Sequence, residues 1–244
     1  MLNRIDRVVR VAGVAAAATL VSAVMAFAYE GGAVANGGTI KGVVKYKGTA
    51  PAPKTLEVNK DKKVCALTEK KAKDLVVGAG GGVRYAVVSL TDISAGKAFP
   101  EGKTVLDQAG CEYVPYITIV PAGAELNIKN SDGILHNIHT YSKKNKPVNK
   151  AQPKFKKTIK ASFSEPEMVK VTCDVHGWMR GWLAVVDHPY YVITDENGAF
   201  ELADVPAGEY EIKVWQEDLG ESTQKVTVPG GGEASVTFEL AAKK

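Results

Sequence analysis

The chain has 244 residues, with 31 Lys and Arg against 27 Asp and Glu and 45% hydrophobic side chains. That length suits two domains, or one domain with an appendage. Its four histidines are too few for the trinuclear cluster of an oxygen-reducing multicopper enzyme, and the absence of Cys-x-x-Cys-His excludes covalent c-type haem on that signature.

Arg4, Arg7 and Arg10 form a basic start, residues 11–28 are nearly all apolar, and Ala26-Phe27-Ala28 offers a small-x-small cleavage pattern. This reads as a signal peptide over 1–28, with a mature, exported or periplasmic chain from Tyr29 and no stable membrane insertion after cleavage. An uncleaved anchor is the rival, because the apolar run is just long enough to span a bilayer. The well-formed cleavage site and the weakly hydrophobic alanines count against it. The first 28 residues hold three Arg and one Asp, so the remainder carries 28 basic and 26 acidic side chains and is nearly neutral.

No segment has a convincing helical period. Short alternating runs recur between turn signals, so the fold class is all-β. Residues 29–110 read as an N-terminal β region that contributes strands in part to the sandwiches further along. In Gly38–Tyr46, Ile40, Val44 and Tyr46 alternate with Lys41 and Lys45. Residues 60–63 and Lys70-Lys71 mark exposed connections. The glycine-rich 78–82 is a loop without the Gly-Lys-Ser/Thr ending of a phosphate cradle. Residues 83–90 read as a strand.

Ala124, Leu126 and Ile128 alternate with Glu125, Asn127 and Lys129, which gives a strand with one apolar face. Asn130-Ser131-Asp132-Gly133 then reads as a turn, followed by Leu135-His136-Asn137-Ile138-His139. In a strand, His136 and His139 face opposite sides, so only one can reach a given site. His136 is the choice, and His139 is read as an ordinary strand histidine. Further on, Val169, Val171, Cys173 and Val175 alternate with Lys170, Thr172 and Asp174. The Cys173 thiol therefore points into the core as this strand ends.

Cys173-Asp174-Val175-His176-Gly177-Trp178-Met179 presents a thiolate, an imidazole and a thioether with two residues between each pair. With His136 they make the donor set of a mononuclear blue-copper electron-transfer site. Met179 decides between metals, since zinc sites are built from Cys, His, Asp or Glu. A tight loop leaves little ordering entropy to lose, and Trp178 and Trp182 are placed to keep water out. The rival in which Cys173 and His176 form a nucleophile pair lacks an evident orienting partner and leaves Met179 without a role. A plain sandwich with a buried Cys, a satisfied His and a core Met needs four donors to match by accident.

After Val186 the pattern changes. Tyr190 to Thr194, Asp195-Glu196-Asn197-Gly198 and Ala199 to Leu202 read as a hairpin with an Asn-Gly turn. Further strands run over 210–215, 226–228 and 236–240.

The paired motifs 135–139 and 173–181 resemble those of the cupredoxins, most closely the amicyanin and plastocyanin type, over about 110–187. The resemblance implies a Greek-key β-sandwich with its copper-binding core at 111–187. It also implies equatorial ligands His136, Cys173 and His176, Met179 as the weak axial ligand, and Asn137 tying the two ligand loops by hydrogen bonds. Asp195-x-Asn197-Gly198-x-Phe200 with Val205-Pro206-Ala207-Gly208-x-Tyr210 is similar to the carboxypeptidase regulatory-like, transthyretin-type sandwich. An appended, non-catalytic small β-sandwich over 188–244 is therefore expected.

With Cys173 assigned to the metal, Cys65 and Cys111 are left as a pair, and an exported chain has reason to bridge them. Residues 142–160 hold eight lysines and no acid. The run is either a solvated loop or a docking surface for the acidic face of a redox partner, such as a c-type cytochrome or a dehydrogenase. Nucleic acid is not expected of an exported chain in which a single aromatic, Phe155, stands among these lysines. The functional expectation is a type 1 copper protein that moves single electrons and is not an enzyme. The alternatives are a copper carrier without redox turnover and an exported structural protein with a vestigial site.

Overall fold

Two period-two patterns of apolar side chains, each needing a partner face, pack here into two β-sandwiches. The computed structural model describes residues 29–242. The expected export signal, residues 1–28, lies outside them.

In the first sandwich, one sheet orders Glu112–Val114, Thr104–Ala109, Glu125–Asn130 and Thr158–Ser162. The other orders Ile117–Pro121, Arg180–Val186, Glu167–Thr172, His136–Tyr141 and Asn149–Gln152. The facing sheets close over Leu106, Leu126, Ile128 and Ile159 on one side and Ile138, Val169, Val171 and Leu183 on the other. Each such side chain, fully buried, contributes roughly 1.5–3 kcal/mol. The strand leading to Cys173 sits between His136–Tyr141 and Arg180–Val186. It is an interior strand with both edges paired.

The second sandwich orders Tyr191–Ile193, Val87–Leu90, Gly208–Gln216 and Gly220–Val228 in one sheet and Ala199–Val205, Gly38–Tyr46 and Glu233–Leu240 in the other. Glu233–Leu240 alternates exposed and buried residues throughout. Gly42 in the central strand is required by close packing: a Cβ there would stand 2.2 Å from the Val236 carbonyl oxygen and 2.4 Å from the Phe200 ring.

The second sandwich thus takes strands from both sides of the first, which lies between them in the chain. The break expected between residues 110 and 111 falls inside a sheet, because Thr104–Ala109 pairs with both Glu112–Val114 and Glu125–Asn130. Residues 29–110 give two strands to the second sandwich and one to the first.

The expected Asn-Gly hairpin is corrected. Tyr191–Ile193 pairs with Val87–Leu90, whereas Ala199–Val205 pairs with Gly38–Tyr46 in the opposite sheet. The turn at Asn197-Gly198 carries the chain across the sandwich. Its local chemistry is as read, with Asp195 Oδ1 accepting the N–H groups of Asn197 and Ala199. Turn residues set a bend but not which neighbours the flanking strands select.

The sandwiches meet through Tyr116, Ile117, Ala184 and Val186 on one side and Val87, Tyr191 and Trp215 on the other. Polar contacts flank this apolar patch: Arg180 lies 2.8 Å from Asp74, and the Tyr116 hydroxyl donates to Glu217. Residues 60–63, expected as an exposed connection, lead into a short helix, Lys62–Cys65. Its last residue is joined to Cys111 by a disulfide. Among the described residues, no helix is long and apolar enough to cross a membrane.

Candidate metal centre

His136 opens its strand with its ring wholly buried, and Cys173 follows the last residue of the neighbouring strand. The loop after Cys173 is closed by its own backbone. Met179 N–H donates to the His176 carbonyl at 2.9 Å, and Cys173 N–H donates to the Met179 carbonyl at 3.2 Å. This folds His176 back over the thiol. One ligand atom each from His136, Cys173 and His176 then lies within 4.8 Å of the others, with all three residues buried. His136 Nδ1 is 3.0 Å from His176 Nδ1, and Cys173 Sγ is 3.8 Å from His176 Nδ1.

The outer nitrogens decide what the inner ones offer. His136 Nε2 lies 2.8 Å from Asp132 Oδ2, and His176 Nε2 lies 2.8 Å from Asp61 Oδ2. A carboxylate accepts only, so each Nε2 carries a proton and each Nδ1 presents a lone pair to the cavity. Two inward lone pairs and a sulfur this close repel unless a positive charge stands among them. A proton or a metal ion meets that need.

The acid–base balance points the same way. Burial disfavours a charged His136, but Asp132 and Cys173 outweigh it and push its pKa up to about 9. Burial would raise the Cys173 thiol; the hydrogen bond from His136 and the N–H groups of Asn137, His176 and Val175 bring it below its ordinary value. His176 is held low by burial and by the charge of His136, against the pull of Asp61. The pocket therefore favours a thiolate and one adjacent cation, the electrostatics a soft metal ligand needs.

Met179 is 1% exposed and packs in the same core cluster as Cys173 and Trp178. Asn137 binds the ligand loop: its Nδ2 donates to Asp174 Oδ2 at 3.0 Å, and its Oδ1 accepts the Asp174 N–H at 2.6 Å. The Trp178 ring lies 5.0 Å from that of His176, and its Nε1 donates to the Cys111 carbonyl at 3.1 Å. Trp182 does not cover the site. It packs against Trp215 of the second sandwich at 4.8 Å, because Arg180–Val186 turns alternate side chains to opposite faces. His139 faces away as alternation requires, with its Nδ1 2.9 Å from Asp174 Oδ1.

Three contributors were missed from sequence. Asp132 read only as part of a turn, although its spacing of four before His136 was a weak signal. Asp61 is 115 residues from its partner His176 and carried none. The Tyr113 hydroxyl lies 2.7 Å from the Asn137 carbonyl and 2.9 Å from the Thr172 carbonyl, within donating reach of either. It pins both strands beside the site. A second cluster, Cys111, Asp132 and His136, has ligand spacing, but the Cys111 sulfur is already bonded to Cys65.

The donors fit copper. The Cys173 sulfur and two histidine Nδ1 atoms converge, and a buried thioether stands in the same loop. When bound, such an ion supplies a one-electron couple.

A family model for domain II of polysaccharide lyase family 4 matches residues 154–236. That stretch begins in the first sandwich and ends in the second. No curated protein matches the sequence. Among solved structures, part of the chain is similar to a Cu-containing nitrite reductase from Thermus scotoductus. The identity is 17% and the TM-score 0.33, covering 40% of this chain and 25% of that one. A purple cupredoxin from Nitrosopumilus maritimus is 21% identical at TM-score 0.29, covering 34% of this chain and 100% of that one. A copper(I) form of an amicyanin variant is 19% identical at TM-score 0.32, covering 41% of this chain and 98% of that one. By its own sheets this chain is all-β and built of β-sandwiches, with a buried His–Cys–His group spaced to hold a metal ion.

Proposed function

We propose that this protein is an exported type 1 copper protein that passes single electrons between larger redox partners and carries out no substrate chemistry. His136, Cys173 and His176 hold the ion, and Met179 supplies a weak fourth donor. The carrying observation is the convergence of two Nδ1 atoms and one thiol sulfur in a buried pocket, each imidazole already oriented by a carboxylate.

The chain's own part is to keep these donors still. The interior strand before Cys173, the backbone bonds within the ligand loop and the Asn137 bridge leave little freedom to reorganise when the charge at the site changes. The Cys65–Cys111 bond suits an oxidising compartment and supports export. The lysine run supports a docking face for an acidic surface. It includes Lys150, opposite Ile138 in the strand pair that also carries His136. A c-type cytochrome or a dehydrogenase is a fitting partner class.

Adding copper(II) to the purified metal-free protein tests this. One equivalent should bind, give an intense visible thiolate-to-copper band and show a reversible voltammetric wave. A second reading, a copper carrier without turnover, draws on the burial of His176, which leaves no ligand edge open to a partner. Tight copper(I) binding with no stable oxidised form would select it.

A further inference from the structure

His176 is wholly buried although it belongs to a loop beyond the strand ends. What lies over it comes from a segment outside the strands of its own sandwich. Thr55–Leu56 pairs antiparallel with Lys70–Lys71, and between them stands the helix Lys62–Cys65, headed by Asp61.

Asp61 is locally out of place. An aspartate at the head of a helix ordinarily accepts the helix's own first N–H groups, yet this one makes no side-chain cap bond. Its backbone is left-handed, at φ 48° and ψ 39°, a region open mainly to glycine, asparagine and aspartate. The carboxylate forgoes the cap and meets His176 Nε2 at 2.8 Å.

The segment is tied down beside the site. Leu56, Val58 and Val64 pack on the core of the first sandwich, and Cys65 is bonded to Cys111. The Cys111 N–H donates to Asp132 Oδ2 at 2.7 Å, and the same oxygen faces His136. The Cys111 carbonyl accepts from Trp178, which packs on His176. One disulfide therefore anchors the elements that carry both histidine-orienting carboxylates.

We infer that residues 54–72 form a tethered cover over the metal pocket, and that Asp61 is a positioning residue that fixes the His176 ring and shields the pocket. The positioning role rests on the copper reading above; the cover does not. With the cover in place, reagents and ions reach Cys173 only when the Asp61–His176 bond opens, and a redox partner docks on a face other than that of His176.

The test uses the metal-free protein and the reaction of its single free thiol, Cys173, with 5,5′-dithiobis(2-nitrobenzoic acid). The thiolate displaces one equivalent of the coloured thiolate of the reagent and is left as a mixed disulfide. Asp61→Ala should speed this reaction about tenfold or more, the expected effect of losing one hydrogen bond to a charged group. Asp61→Gly removes the same acceptor while suiting the left-handed backbone, which guards against misfolding, and should behave alike. Asp61→Asn keeps an acceptor oxygen and should stay near the unsubstituted rate. Lys62→Ala, next in the chain, should change nothing. An unchanged rate in both Asp61→Ala and Asp61→Gly, or equal acceleration by Lys62→Ala, overturns the cover.

In the copper-loaded protein, Asp61→Ala should shift the visible band and hasten loss of the ion to a chelator, and Asp61→Asn should restore both. An unshifted band overturns the positioning role. If the protein binds no copper at all, the copper reading falls, and with it the positioning role, while the thiol reaction still decides the cover.

Discussion

Asn137 and Asp174 exchange two hydrogen bonds, the Asn137 Nδ2 donating to Asp174 Oδ2 at 3.0 Å and its Oδ1 accepting the Asp174 N–H at 2.6 Å. This pair joins the strand of His136 to the loop of Cys173. Asn137 is 5% exposed, so Asn137→Ala leaves the Asp174 N–H without its partner. The expected loss is about 1–3 kcal/mol of folding stability, read by urea denaturation of the metal-free protein. Copper affinity should fall as well, because the two ligand elements lose their common anchor.

Cys173→Ser should abolish the intense visible band on copper addition, because the charge-transfer donor is the thiolate. The far-ultraviolet circular dichroism should stay that of the parent. A variant that keeps the band would show that the colour comes from another site.

Glu167 organises the start of the lysine run. Its carboxylate accepts from the N–H groups of Lys143, Lys144 and Asn145 and from Asn145 Nδ2. Burial works to raise its pKa, but the Asn145 side chain and those backbone donors outweigh it and hold it below the ordinary 4.5. A depressed folded value contributes stability that is present above 4.5 and lost as pH falls through the folded value. Protection of the 143–145 amides, taken relative to their intrinsic exchange rates, should therefore fall below about pH 4.5, more than it does in control loops. Glu167→Gln should make those amides exchange faster at neutral pH and remove the acid dependence.

Replacing Lys150 and Lys154 with glutamate should slow electron exchange with an acidic partner about tenfold at low salt. The variant and parent rates should converge as ionic strength rises past the screening range. Parallel salt dependences in the two proteins would make the run a solvated face only.

The residues of the candidate centre were legible because covalent spacing confines them. Cys173, His176 and Met179 share one short loop, and alternation in two strands distinguishes His136 from His139. What surrounds them was legible only where it was local. Asn137, next to His136, was expected as the bridge only from the resemblance of the paired motifs. Trp182 was misplaced because its side chain leaves the site for Trp215, a residue of the other sandwich.

By itself the sequence determined the all-β character, the loop that carries the thiolate and the pairing left to Cys65 and Cys111, since periodicity, spacing and counting are properties of the chain. Only the tertiary structure decided the rest. It set the first sandwich between strands of the second, sent Asn197-Gly198 across two sheets and brought Asp61 onto His176 from 115 residues away. Strand partners and long-range hydrogen bonds are chosen by which apolar faces can be buried together, and that competition involves the whole chain at once.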